Sequence, residues 1–183
     1  MEPTRYKDHF VKFPYKKEVR EDEINNGGID LIKEPHRINE INEIKNAPWI
    51  KDFLIDVNSI SGLFMTFGCL YSIDENKFHF GYVEFSFRPS ASDLIKNKVT
   101  VLDDDFYTYM GKINHPGDWQ ISPVDFARGS LHWESSSLEI DNQIYDKAVF
   151  YFRCSEAEPC MWIFHHMRNF LVDYYPSLYP DLL

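Results

Sequence analysis

Only a few groupings in this chain have the residue types and spacing that chemistry needs. His132 and Glu134 stand two apart in SLHWESSSLEI, so an extended backbone places both on one face, opposite Trp133. A histidine beside a carboxylate can move a proton, and Ser135, Ser136 and Ser137 follow directly. The same alternation also describes the solvent side of a half-exposed sheet. Cys154, Cys160, His165 and His166 form the only thiol and imidazole cluster. On a helix, Cys160 and His165 would point about 140° apart, and adjacent histidines cannot share a face. His166 falls four residues after Trp162, the spacing of a ring packed at a core edge. No metal site is expected from this set.

Other chemistries fail on spacing. Phosphate-cradling loops need closely spaced glycines after a strand, and the only paired glycines, Gly27 and Gly28, lie in a polar turn. A metal-dependent nuclease core wants an Asp followed at a distance by acidic-x-Lys. Asp30 with Glu43-Ile44-Lys45 and Asp56 with Glu75-Asn76-Lys77 both fit, yet Glu43 falls in a helical pattern and Glu75 in a turn. Asp103, Asp104 and Asp105 have no EF-hand spacing. Three carboxylates at a helix start are favoured by the helix dipole alone, and they can also meet a partner's Lys or Arg. No cofactor is called for.

Charge gives a more positive lead. The net charge is −10, and it is unevenly placed. Residues 1–51 hold 10 Lys+Arg and 10 Asp+Glu, so 52–183 hold the remaining 9 against 19. Such a chain repels phosphate backbones, which argues against nucleic acid, and it suits a basic protein partner. Aromatics reach 16% of the residues, enough to furnish both a ring-filled core and interface anchors. Several rings adjoin acids: Tyr107 follows Asp105, Trp119 follows Asp118, Glu134 follows Trp133, and Asp146 follows Tyr145. Together with Asp103 and Asp104 these form the expected partner-binding set. The expected function is therefore a non-enzymatic, acidic inhibitor or immunity-type protein masking a basic toxin or nuclease. Two alternatives stand beside it: a small hydrolase-like enzyme using His132/Glu134 or His165/His166, and a homo-oligomeric adaptor, with a homodimer formed through the apolar hairpin 62–88.

Three cysteines without framework spacing, no apolar leader in MEPTRYKDHFVKF and no run of about 20 apolar residues place the expected address in the cytoplasm, away from membranes.

The elements that must position these residues read as one α+β domain over 1–183, with a polar arm at 1–35. Asn25 to Gly28 signal a turn. Ile38, Ile41 and Ile44 form a helical stripe, and Asn46 with Pro48 predicts a second helix burying Trp49, Ile50, Phe53, Leu54 and Val57. Residues 62–72 and 77–88 read as a hairpin turning at 74–76. A helix follows Asp103–Asp105, with Phe106, Tyr109, Met110 and Ile113 at its spacing, and 90–118 as a whole reads as helical pieces. Then 119–127, 130–140 and 144–154 read as a three-strand meander, linked at Arg128-Gly129 and at 141–143. Ser155 with Glu158 reads as a capping box for a last helix that buries Ile163, Met167, Phe170, Leu171 and Tyr174 before Pro176. The expected sheet is mainly antiparallel, with about five strands, and no βαβ alternation argues for a parallel one.

Overall fold

The computed structural model of the chain describes residues 1–4, 12–20, 23–25, 27–114 and 120–180. Four short strands come from the arm: β1 (Glu2–Pro3), β2 (Lys12–Phe13), β3 (Glu18–Arg20) and β4 (Glu23–Asn25). Four long ones follow: β5 (Phe64–Ile73), β6 (His79–Phe87), β7 (Leu131–Ile140) and β8 (Gln143–Cys154). The long strands pair antiparallel in the order β7-β8-β6-β5, while β1 and β2 both lie parallel along the free side of β7. The chain is thus α+β with a mainly antiparallel sheet, as its alternation predicts. The hairpin turn between β7 and β8 is two residues long, with Asp141 and Asn142 both at positive φ, which suits the twist of the paired strands.

Alternation sends Trp133, Phe150, Phe152, Val83, Phe85 and Phe87 to one face. That face is covered by α1 (Pro48–Val57), α2 (Asp93–Lys96), α3 (Leu102–Met110), α4 (Pro123–Ser130) and α5 (Ala157–Asn169), together forming the main core. The other face is covered in part by the arm. Phe13 seals Met65, Phe67, Leu138 and Ile140 into a smaller cluster, with Tyr15 and Ile32 at its margin.

The meander needs correction. Residues 123–130 are not a strand but α4, so Arg128-Gly129 lies inside a helix, and among the described residues the meander is reduced to β7 and β8. The cause is an N-cap: Ser122 Oγ accepts from the Asp125 amide at 3.1 Å and donates to Asp125 Oδ2 at 2.7 Å, with Pro123 opening the helix. Trp119, where that predicted strand began, lies outside the described residues, as does Asn26 of the predicted turn. Ile38 and Ile44 sit on two 3-10 segments, Pro35–Glu40 and Glu43–Lys45, while Ile41 lies between them in extended backbone, so the stripe is not one continuous helix. Asn46 ends the second of these, and Ala47 precedes α1 without a side-chain cap.

Ser155 does not cap α5 either, since the helix begins at Ala157. That start leaves Pro159 in the first turn, where its missing N–H breaks no helical bond. After Asn169 the helix widens into a π-turn, Phe170–Tyr174, ahead of α6 (Tyr175–Ser177) and its Pro176. The extra residue in that turn moves the buried position from Tyr174 to Tyr175.

Gly81 marks the tightest point of the sheet, because a Cβ there would sit 1.9 Å from the Leu70 carbonyl oxygen. Gly81→Ala must push β5 off β6 and should cost about 1–3 kcal/mol in denaturant unfolding. Gly129, on α4, has nothing within 4 Å of where an added methyl would lie, so Gly129→Ala should instead stabilise by about 0.4–1 kcal/mol.

Candidate functional site

The first turn of α3 carries the acidic triple, and its three carboxylates have different surroundings. Asp103 is mostly enclosed, and its Oδ2 lies 2.7 Å from the Met1 amino group. Asp104 is exposed and has no ion pair among the described residues. Asp105 is half-buried, and loss of solvent raises its pKa, an effect that nearby Lys98 opposes. Tyr107, one turn on, lies under the Arg128 guanidinium of α4, 4.9 Å from its ring centre. Burial raises its hydroxyl above the ordinary phenol range. Asp118 and Trp119 lie outside the described residues.

Trp133 cannot serve as a surface anchor. It is 4% exposed and packs in the main core against Phe85, Phe106 and Phe150. Alternation did place Glu134 and His132 on the opposite face. His132 Nε2 lies 3.3 Å from Glu134 Oε1, and the Tyr151 hydroxyl donates to Glu134 Oε2 at 3.4 Å. The His132 ring is exposed, and among the described residues no hydroxyl or thiol is its hydrogen-bond partner. A proton can pass within this group, but a nucleophile for acyl transfer is not part of it. Tyr145 and Asp146 sit further along β8. The Tyr145 hydroxyl donates to Gln143, and Lys96 lies 5.5 Å from its ring centre. Asp146 is exposed and accepts from Ser137 Oγ at 3.1 Å. The expected partner-binding set is therefore dispersed: α3 holds one part, the far end of the β7–β8 hairpin another.

His165 and His166 also part company, as their adjacency requires. His165 is exposed and held to Asn169, 3.0 Å away. His166 is half-buried between Trp162, at 4.4 Å between ring centres, and Tyr109, whose hydroxyl lies 3.4 Å from its Nδ1. Burial, with a smaller contribution from His165, pushes its pKa down to about 4, so it stays neutral near pH 7. Among the described residues no three His, Cys, Asp or Glu side chains converge as a metal site would need. In the nuclease-like fragments, Asp30 Oδ1 accepts the amides of Ile32 and Lys33, Glu43 and Lys45 lie on a 3-10 segment, Asp56 on α1 accepts from Arg168 Nε at 2.8 Å, and Glu75 is exposed in the β5–β6 turn.

Two buried cations escaped the sequence. Lys147 on β8 is 1% exposed, and its Nζ donates to Glu84 Oε1 at 2.8 Å and to the Tyr15 hydroxyl at 3.0 Å. Tyr15 in turn donates to Glu84 Oε2 at 2.8 Å, closing a three-member ring of hydrogen bonds under the arm. Arg88 Nε and Nη1 donate to the Phe64 and Ile60 carbonyls at 2.9 and 2.8 Å, and Nη2 to that of Ser59. The signal for Lys147 is its place in KAVF, where alternation sets a lysine on a face shared with Val149.

No helix among the described residues is long and apolar enough to cross a membrane. No family model, curated protein or solved structure matches the chain.

His166 gives a pH signature with a definite sign. Its folded pKa lies below the unfolded value of 6.5, so the unfolded chain binds the proton more readily as pH falls. Its contribution is fully present above pH 6.5, declines toward about pH 4, and is level below that. Melting temperatures across this range should converge for wild type and His166→Gln at the acid end relative to pH 7.5 and above. Lys147→Ala should destabilise by about 3–5 kcal/mol, because it strands Glu84 inside the protein. The double variant Lys147→Met, Glu84→Gln should recover much of that loss in urea melts.

Proposed function

We propose that this chain is a protein-binding domain that covers a basic partner, in the manner of an inhibitor or immunity protein that masks a toxin or nuclease. The observation that carries this reading is unpaired acid on the surface. Asp52, Glu75, Asp104, Asp146, Glu156 and Glu158 are all exposed and have no ion pair among the described residues. The cations that could have balanced them are partly withdrawn. Of the nine Lys and Arg in 52–183, Arg88 and Lys147 are buried, and Arg88 gives its donors to backbone carbonyls. Unpaired surface charge of one sign raises the rate of encounter with the opposite sign and disfavours phosphate-bearing partners.

Within this surface, Asp104 on α3 beside half-exposed Tyr107 supplies the charge-and-ring pairing that interfaces favour. Tyr145 with Asp146 supplies a second pairing on the β7–β8 hairpin. A self-association role has less surface to draw on. The hairpin 62–88 spends most of its apolar side chains on the two cores, leaving Leu70 and Ile73 as its exposed large ones.

Tagged protein incubated with native host lysate should retain a basic protein in one-to-one amount, with retention falling as salt rises. Asp104→Lys should weaken that complex about tenfold, equivalent to about 1.4 kcal/mol. An empty pull-down at low salt sinks the masking role. Full affinity in the Asp104→Lys variant moves the contact off α3 and onto another acidic part of the surface.

A further inference from the structure

The sheet face opposite the helices has two unlike halves. One lies under the arm and holds the Lys147–Glu84–Tyr15 ring and the smaller apolar cluster. At the other end a row of side chains crosses the four long strands in register. Leu70 on β5 stands beside Tyr82 on β6, Tyr82 beside Tyr151 on β8, and Tyr151 beside His132 on β7. Leu70 is 38% exposed, His132 is exposed, and Tyr82 and Tyr151 are half-exposed. The ring centres of Tyr82 and Tyr151 are 5.8 Å apart, and those of Tyr151 and His132 5.9 Å. Three rings thus lie side by side on an open part of the sheet.

Glu134 closes the His132 end of this row, two positions on along β7. Its side chain is only 13% exposed, yet its contacts with His132 and the Tyr151 hydroxyl, at 3.3 and 3.4 Å, are long for a carboxylate. Among the described residues no Lys or Arg is paired with it. A carboxylate has about four acceptor positions, so it can take further donors from outside. The acidic surface also continues beyond it. Glu134 is the register partner of exposed Glu2 on β1, and the neighbouring Met1 amino group lies 2.7 Å from Asp103. β1 therefore links Glu134 to the first turn of α3, where Asp104 is exposed.

We propose that Tyr82, Tyr151, His132 and Glu134 form the seat for an arginine side chain of the basic partner. This rests on the masking role above and gives that role a contact point on the sheet. The guanidinium lies on the face of the Tyr151 ring while its N–H fork reaches the Glu134 oxygens, and the Tyr82 ring takes the aliphatic stem. A planar cation satisfies ring and carboxylate together; a compact, strongly hydrated lysine ammonium does not. Single-stranded nucleic acid also stacks on sheet rings, but Glu134, Glu2 and a net charge of −10 repel its phosphates.

The test titrates end-blocked hexa-arginine and hexa-lysine peptides into the native full chain at low ionic strength. Tyrosine ring signals are followed by NMR and assigned from Tyr82→Phe and Tyr151→Phe. Hexa-arginine should bind about fivefold more tightly than hexa-lysine and shift the Tyr82 and Tyr151 rings. Tyr151→Leu and Glu134→Gln should each reduce hexa-arginine to the hexa-lysine affinity, whereas Tyr151→Phe, which keeps the ring, should retain the preference. Equal affinity of the wild type for the two peptides, or binding that leaves both rings unmoved, overturns the seat and leaves the masking role standing. Failure of either peptide to bind overturns both. Ring shifts with a single-stranded oligonucleotide and none with hexa-arginine overturn the seat in favour of nucleic acid.

Discussion

The ring of Phe150 is the point through which the two layers are joined. It stands on the central strand β8, with Trp133 at 5.7 Å on β7 and Phe85 at 6.0 Å on β6. Above it lie Phe53 of α1 at 6.1 Å and Phe164 of α5 at 5.5 Å. Edge-to-face contacts of this kind favour particular mutual angles in addition to burying area, so they orient helices as well as hold them. α3 joins the same lattice through Phe106, which touches Trp133 at 5.8 Å and Phe170 at 5.4 Å. The acidic first turn of α3 and the aromatic seat of His166 on α5 therefore take their positions from rings on the sheet. This is where much of the aromatic content goes: the rings of this lattice are structural before they are anything else.

The opposite face is organised differently, by charge. Lys147, Glu84 and Tyr15 bond to one another beneath the arm, in a place where an unmatched member of the set would be costly. Arg88 performs a comparable service at the end of β6, gathering the carbonyls of the loop between α1 and β5. Asn58 adds to it by accepting the Thr66 amide at 3.0 Å and donating to the Leu54 carbonyl at 2.8 Å. The start of edge strand β5 thus has backbone groups satisfied by side chains, and this part of the edge offers fewer of them to another strand.

Much of the fold was legible because it depends on short-range pattern. The alternating rings of 62–88, the Asp141-Asn142 turn and the amphipathic run 157–171 each specify an element from neighbouring residues alone. Where two patterns overlapped, the sequence misled. The segment 119–127 reads as a strand, while its Ser122-Pro123 and Asp125 carry the stronger helix-start signal. The docking of β1 and β2 was out of reach, since a two-residue strand has no period to read. The candidate site was legible in charge and obscure in placement. Alternation put Trp133 and Glu134 on opposite faces but could not tell which face the helices cover. Lys147 was opaque for another reason: its partner Glu84 lies 63 positions away, and neither residue alone announces the pair.

The parallel seating of β1 against β7 has a consequence for how the chain reaches this state. Glu2 pairs with Glu134 and Lys12 with Glu139, so these contacts span most of the chain, whereas β7 and β8 meet across a two-residue turn. Closing a longer loop loses more chain entropy, and the strand pairing it gains among the described residues is two short ladders. The local hairpins thus have the kinetic advantage, and the arm is placed to join a sheet already formed. Until it does, the side of β7 and the cluster of Met65, Phe67, Leu138 and Ile140 are open to solvent. The interval before arm docking is when a newly made chain is most exposed to pairing with its neighbours.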